Sequence, residues 1–236
     1  MKSGEMRIAF FGDSLTSGVP GCSYVALVSA QFAGAELLNY GKGNDSVVSL
    51  QRRVSRMEFG EPFDVACLWV GVNDVLRRDG WPVQTFHRAL GQRRARDVDE
   101  FRACYRATLD VLCDRAGRVI VAPPVLKGEK LDNPWNRRLA RLEGAIRDLA
   151  AGREGVEFLD LRTTFAEALA GRPTTDYASR DPFRVLIDAA RLRTPEQVDR
   201  VATARGMYLT LDGVHLNSRG ARLAADAFAG AIGQIG

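Results

Sequence analysis

The chain has 236 residues, 46% hydrophobic and 26% charged, with 33 basic against 29 acidic side chains for a formal net charge of +4. That mixture fits a soluble globular protein with a sizeable core and excludes wholesale disorder. Lysine occurs only as Lys2, Lys42, Lys127 and Lys130, and the many arginines are interleaved with acids rather than massed, so no nucleic-acid partner is read from them.

Taken in chain order, short apolar runs alternate with helical stripes. Residues 7–11 form a run closed by Gly12 and are predicted as a buried strand. Ser23 caps a helix with Val25, Val28 and Phe32 on one face, stopped by Gly34. Residues 36–39 are a second strand. Ser46 caps a helix with the stripe Val47, Leu50, Val54 and Met57. Residues 65–70 are a third strand, continuously apolar and so buried on both faces. A charged segment without clear period, residues 77–97, includes the cluster Arg93, Arg94 and Arg96, read as a solvated loop. Helical spacing resumes with Val98, Phe101, Tyr105 and Leu112. Residues 118–122 are the fourth strand, ended by Pro123 and Pro124. A helix carries Leu139, Leu142, Ile146 and Leu149, and residues 156–160 are the fifth strand. A short helix over 163–171 follows. Residues 172–211 read as an insertion. One helix in it opens at Asp181-Pro182 and carries Phe183, Leu186, Ile187 and Ala190. A second opens on the capping box Thr194-Pro195-Glu196-Gln197 and keeps Val198, Val201 and Ala202 inside. A last helix from Ser218 carries Leu223, Ala227 and Phe228. Such alternation means βαβ units, hence an α/β fold with a parallel sheet covered by helices on both faces.

An uncharged stretch over residues 14–35 is interrupted by Thr16, Ser17, Pro20, Ser23, Ser29 and Gln31, and is not a spanning helix. No secretory leader opens the chain, so a cytoplasmic location without membrane insertion is expected. Cys22, Cys67, Cys104 and Cys113 show no C-x-x-C spacing and are expected as free thiols. The two histidines, His87 and His215, lie far apart in sequence, which argues against a histidine-rich metal site.

In an open parallel sheet, ligands bind where the strands end at their carboxyl ends. After the first strand comes Gly12-Asp13-Ser14-Leu15. After the second comes Asn39-Tyr40-Gly41-Lys42-Gly43-Asn44-Asp45, and after the third Gly71-Val72-Asn73-Asp74. Before the last helix comes Asp212-Gly213-Val214-His215-Leu216-Asn217. Together they supply a hydroxyl at Ser14 that can be exposed at the sheet edge, a candidate general base at His215, a carboxylate three residues earlier at Asp212, and an amide donor at Asn73. Gly43 and Asn44 lie in a loop that can present backbone N–H groups. Acyl transfer needs this set: nucleophile, base, orienting acid and oxyanion donors. Taken singly, each has a plainer reading. Ser14 is a turn residue, Asp45 and Asp74 are caps, and His215 and His87 are surface histidines. Gly41-x-Gly43 resembles half a dinucleotide fingerprint but has Ser46 at the third glycine and follows the wrong strand.

The ordered set resembles the GDSL-type, or SGNH, serine hydrolases. It is carried by Gly12–Leu15 near the N-terminus, Gly71–Asp74, and Asp212–His215, over almost the whole chain except 77–97 and 172–211. The resemblance implies a flavodoxin-like three-layer α/β/α sandwich with five parallel strands in order 2-1-3-4-5. It implies Ser14 as nucleophile, His215 as general acid/base and Asp212 as orienting acid. The oxyanion hole would combine the Ser14 backbone N–H, the Asn44 backbone N–H and the Asn73 side chain. The family usually has glycine where this chain has Asn44. Asparagine keeps the backbone donor and tolerates positive φ, and Gly43 is a second candidate for that donor. The expected activity is hydrolysis of a small-molecule carboxylic ester through an acyl-enzyme, with no cofactor and no metal. The alternatives are an acyltransferase or carbohydrate acetylesterase on the same site, or an inactive binding module. The chain is read as a single domain over 1–236, with the two insertions at the rim of the site. Trp81, Phe86, Tyr177 and Phe183 are candidate acyl contacts.

Overall fold

Five parallel strands lie side by side in the order β2-β1-β3-β4-β5 in the computed structural model, which describes residues 5–75, 93–175, 177–178 and 182–234. The strands are β1 Arg7–Gly12, β2 Glu36–Gly41, β3 Phe63–Trp69, β4 Ala116–Ala122 and β5 Val156–Phe158. The described helices are α1 Ser14–Ser17, α2 Tyr24–Gln31, α3 Val47–Val54, α4 Val98–Cys113 and α5 Pro134–Ala150. They continue with α6 Leu161–Leu169, α7 Pro182–Arg191, α8 Pro195–Ala204 and α9 Ser218–Gly233. A 3₁₀ turn spans Val72–Asp74.

Alternate residues of the central strands feed two cores, as the period of two in a strand requires. Ile8 and Phe10 of β1 and Val65, Cys67 and Trp69 of β3 pack with α2, α6 and α9. Ala9 and Phe11, with Ala66 and Leu68, pack with α3, α4 and α5. On the first face Phe10, Tyr24, Trp69 and Phe228 form an aromatic cluster with ring centroids 5.1–6.2 Å apart. The Trp69 indole N–H donates to the Pro123 carbonyl at 3.0 Å, which joins the carboxyl ends of β3 and β4.

Several boundaries differ from the sequence expectation, each for a local reason. β2 continues through Gly41 because Tyr40 and Gly41 pair with Phe11 and Gly12. β5 ends at Phe158, since Asp160 leaves the ladder to cap α6 by accepting the Thr163 N–H. That cap starts α6 at Leu161, earlier than residue 163. In α9 the fully enclosed positions are the alanines Ala221, Ala224 and Ala225 with Phe228 and Ile232, while Leu223 and Ala227 are only partly covered.

The helix expected from Asp181-Pro182 is present as α7, and its apolar side is the outer one. Phe183, Leu186 and Ile187 are 67%, 54% and 48% exposed, so the apolar stripe of this helix points to water. Its inward anchor is Asp188, whose two oxygens accept from the Arg205 guanidinium at 2.8 and 3.1 Å. Trp81, Phe86 and His87 lie outside the described residues. The four cysteines are free. No helix among the described residues is long and apolar enough to cross a membrane.

Candidate active site

Three backbone segments converge at the carboxyl end of β1. Gly12 is required there by close approach: a Cβ on it would stand 2.2 Å from the Thr16 hydroxyl and 2.3 Å from the Trp69 carbonyl. The Lys42 N–H donates to the Gly12 carbonyl at 3.1 Å and brings in the loop after β2. Asn39 fastens the same loop, its side chain donating to the Thr16 carbonyl at 2.8 Å and accepting the Gly41 N–H at 2.8 Å.

Ser14 opens α1 directly behind β1. Asp13 caps this short helix, with Oδ1 accepting the Leu15 N–H at 3.0 Å. Asp13 is buried and its Oδ2 has no hydrogen-bond partner among the described residues. Burial pushes its carboxyl up to about 7, because desolvation disfavours the charged form. The Leu15 N–H and the nearby His215 oppose the shift, while Asp74 and Asp45 add to it.

His215 reaches Ser14 from the far end of the chain. Its Nε2 lies 3.0 Å from Ser14 Oγ, and its Nδ1 lies 2.8 Å from Asp212 Oδ2. Asp212 Oδ1 accepts the backbone N–H groups of Val214 at 3.0 Å and His215 at 2.9 Å. Burial works against the Asp212 charge, but the adjacent His215 ring, its backbone N–H and the Lys127 ammonium hold the carboxyl well below the ordinary range. An ionised Asp212 is acceptor-only, so in the neutral imidazole the proton sits on Nδ1 and Nε2 is left to accept from the Ser14 hydroxyl.

The turn from Asp212 to His215 depends on Gly213, whose φ is +91° and whose missing Cβ would sit 3.1 Å from the backbone of Gly128. On its other side, the Cys22 N–H donates to the Leu216 carbonyl at 2.9 Å and joins the turn to the loop before α2. Ala178, from the 172–211 segment, also lies against Gly213.

Asn73 lies in the 3₁₀ turn after β3, and Asn44 in the loop after β2. The Asn73 side-chain amide donates to the Asp45 carbonyl at 2.9 Å, which leaves its second N–H for another acceptor. Asn44 is exposed and adopts φ +62°, the left-handed region that asparagine tolerates. Gly43 beside it has open space around its α-carbon. Asp74 staples this region together: it accepts the Val47 N–H of α3 at 2.9 Å and the Ala95 N–H at 3.1 Å. Burial raises its carboxyl to about 6 against the pull of those two N–H groups and Arg94. Asp45, expected as a cap, instead accepts from the Arg53 guanidinium at 2.8 and 3.0 Å.

The structure thus brings Ser14, Asp212 and His215 into one hydrogen-bonded line. It sets Asn44 and Asn73 in adjoining loops that are themselves tied together at Asp45. Sequence reasoning missed the parts that carry no motif: Asp13 as a buried carboxyl with one oxygen unpartnered among the described residues, Glu129, and Arg205. Glu129 could not be recognised because its partners are three backbone amides and a threonine hydroxyl far along the chain. Among the described residues no group of three His, Cys, Asp or Glu side chains is placed to hold a metal ion.

The profile of the GDSL-like lipase/acylhydrolase family matches residues 10–223. No curated protein matches the chain in a sequence comparison. Among solved structures, LAE5, an α/β hydrolase enzyme from the metagenome of Lake Arreo, Spain, is similar with a TM-score of 0.68 at 21% identity, over 99% of this chain and 97% of that one. Axe2, an acetylxylan esterase from Geobacillus stearothermophilus, is similar with a TM-score of 0.68 at 21% identity, over 99% and 97%. The acetyl xylan esterase AlAXEase is similar with a TM-score of 0.64 at 24% identity, over 96% of this chain and all of that one. These likenesses share the fold described above, with its strand order 2-1-3-4-5. With the family profile spanning nearly the whole chain and the site framed by its motifs, the protein belongs to the GDSL-like lipase/acylhydrolase family and is an ester-hydrolysing enzyme.

Proposed function

We propose that the chain is a serine esterase that cleaves carboxylic esters through an acyl-enzyme on Ser14. The observation that carries this reading is the line Asp212 Oδ2–His215–Ser14 Oγ, at 2.8 and 3.0 Å. The His215 Nε2 removes the Ser14 proton as Oγ attacks the ester carbonyl carbon. Asp212 holds the ring by its Nδ1–H and stabilises the imidazolium that forms. The carbonyl oxygen becomes an oxyanion facing the Ser14 backbone N–H, the second N–H of Asn73 and the backbone N–H of Asn44. His215 then gives its proton to the departing alkoxide, and the alcohol leaves. Water, deprotonated by the same Nε2, attacks the acyl carbon and restores Ser14.

Labelling with a fluorophosphonate probe followed by Ser14→Ala tests the assignment. Wild type should be labelled on Ser14 and the variant should not. The variant should also lose up to roughly 10⁶ in kcat while its melting curve is unchanged, the scale seen when a triad nucleophile is removed. A folded Ser14→Ala protein with wild-type turnover would remove Ser14 from the mechanism.

Two of the similar structures are acetylxylan esterases, which favours an acetylated sugar as the second reading of the substrate. A chain-length series of nitrophenyl esters beside acetylated xylo-oligosaccharides separates simple-ester from sugar-ester preference. Product analysis with a competing alcohol separates hydrolysis from acyl transfer.

A further inference from the structure

Glu129 lies in the loop between β4 and α5 and is buried. Its Oε2 accepts the Tyr208 N–H at 2.7 Å. Its Oε1 accepts the N–H groups of Leu209 at 2.8 Å and Thr210 at 2.7 Å, and the Thr210 hydroxyl at 2.8 Å. Three consecutive backbone amides and a hydroxyl therefore end on one carboxylate, in the strip of chain that leads into Asp212.

One relay carries this anchor into the catalytic turn. A threonine hydroxyl has a single proton, and Glu129 receives it, with Met207 Sδ a more distant alternative at 3.2 Å. The hydroxyl oxygen is then oriented as an acceptor, and it takes the Gly213 N–H at 3.0 Å. The Gly213 carbonyl accepts the Gly128 N–H at 2.7 Å. Both peptide groups of Gly213 are thus tied back to residues 128–129 or their partner Thr210. These peptides lie between Asp212 and His215, so their rotation sets the direction of the two side chains. The strip is closed from the other edge by Leu211 N–H to the His215 carbonyl at 2.6 Å and Asn217 N–H to the Leu209 carbonyl at 3.1 Å.

We infer that Glu129, acting through the Thr210 hydroxyl, is a positioning residue that fixes the rotation of the 212–215 turn and so the placement of His215 Nε2 against Ser14. The inference rests on the triad reading above. Neither Glu129 nor Thr210 touches the reacting atoms. Their effect is geometric, and a displacement of about 1 Å at a reacting group is worth roughly 10²-fold in rate.

Thr210→Val tests it, since valine keeps the shape and removes the hydroxyl. The expected result is a loss of roughly 10–100-fold in kcat with KM within about threefold, because substrate binding does not use the turn. Thr210→Ser restores the hydroxyl and should recover kcat to within about threefold of wild type. Glu129→Gln, which replaces one of the two accepting oxygens with an NH₂ that meets at least one N–H donor, should share the loss; where it does not fold, Thr210→Val and Thr210→Ser carry the test. A second readout needs no substrate: the downfield proton resonance of His215 Nδ1–H should shift or broaden in Thr210→Val and stand unmoved in Thr210→Ser. Folded Thr210→Val with wild-type kcat and an unmoved resonance would overturn the inference. So would equal losses in Thr210→Val and Thr210→Ser, which would assign the effect to packing. Ser14→Ala in parallel separates the two readings: an active Ser14→Ala sinks the triad, whereas a dead Ser14→Ala beside a fully active Thr210→Val sinks only the positioning role.

Discussion

Asn73 and Asn44 face the same developing charge in the proposed mechanism but by different atoms, and substitution separates them. Asn73 acts through its side chain, held in place by the bond to the Asp45 carbonyl. Asn73→Ala removes one donor aimed at the transition state, which costs about 10²–10³ in kcat, or roughly 3–4 kcal/mol, with little change in KM. Asn44 acts through its backbone at φ +62°, a conformation that glycine adopts at least as easily. Asn44→Gly should therefore stay within roughly tenfold of wild-type kcat on an acetyl ester. Both variants assayed on acetyl and hexanoyl nitrophenyl esters decide the matter. A large loss in Asn44→Gly on both substrates with Asn73→Ala nearly silent would exchange the roles. The five residues proposed for the chemistry were legible because each stands at a strand end or before a helix, in a string that no core position requires. Asp13, Glu129 and Arg205 were not. Each is a charged residue of a loop or helix end, and its importance comes from burial, which one-dimensional pattern does not carry.

At the scale of elements, α7 is the place where pattern and position part. Its residues at i, i+3 and i+4 are apolar, and that period predicts a helix correctly. The period is silent on which side meets water, and here the apolar stripe faces out while Asp188 faces in. The other helices could be read because their stripes face a sheet whose own strands are apolar on both faces. Strand ends were less legible because pairing continues as long as a neighbour offers partners, as Tyr40 and Gly41 do with β1. The inverted attachment of α7 makes a paired prediction. Leu186→Glu, on the exposed stripe, should change stability by no more than about 0.5 kcal/mol. Asp188→Ala should cost about 3 kcal/mol, because it strips the partner from the largely buried Arg205 guanidinium. Chemical denaturation of the two variants measures both. A strongly destabilised Leu186→Glu beside a neutral Asp188→Ala would mean that α7 packs by its other face.

For the molecule as a whole, two buried carboxyls tilt stability with pH. Asp13, shifted from 3.8 to about 7, and Asp74, shifted to about 6, bind protons more tightly folded than unfolded. Stability therefore falls as pH rises from about 4 through those values. Asp212 is shifted the other way, and its contribution is lost as pH drops below the unfolded value near 3.8. Asp13 alone should cost about 2–3 kcal/mol between pH 5 and pH 8. The wild-type Tm should decline over that interval, and Asp13→Asn, which cannot ionise, should flatten the decline. Parallel slopes for the two proteins would show that Asp13 is not the group responsible. The bond between Ser14 and His215 joins positions 201 residues apart. On a ribosome adding ~5–20 residues per second, the serine is incorporated about 10–40 s before its histidine. For that interval the nascent chain carries a hydroxyl no more reactive than any other serine. On the proposed mechanism, esterase activity arrives as a single late event of synthesis, and its appearance times the arrival of the last helix at the sheet.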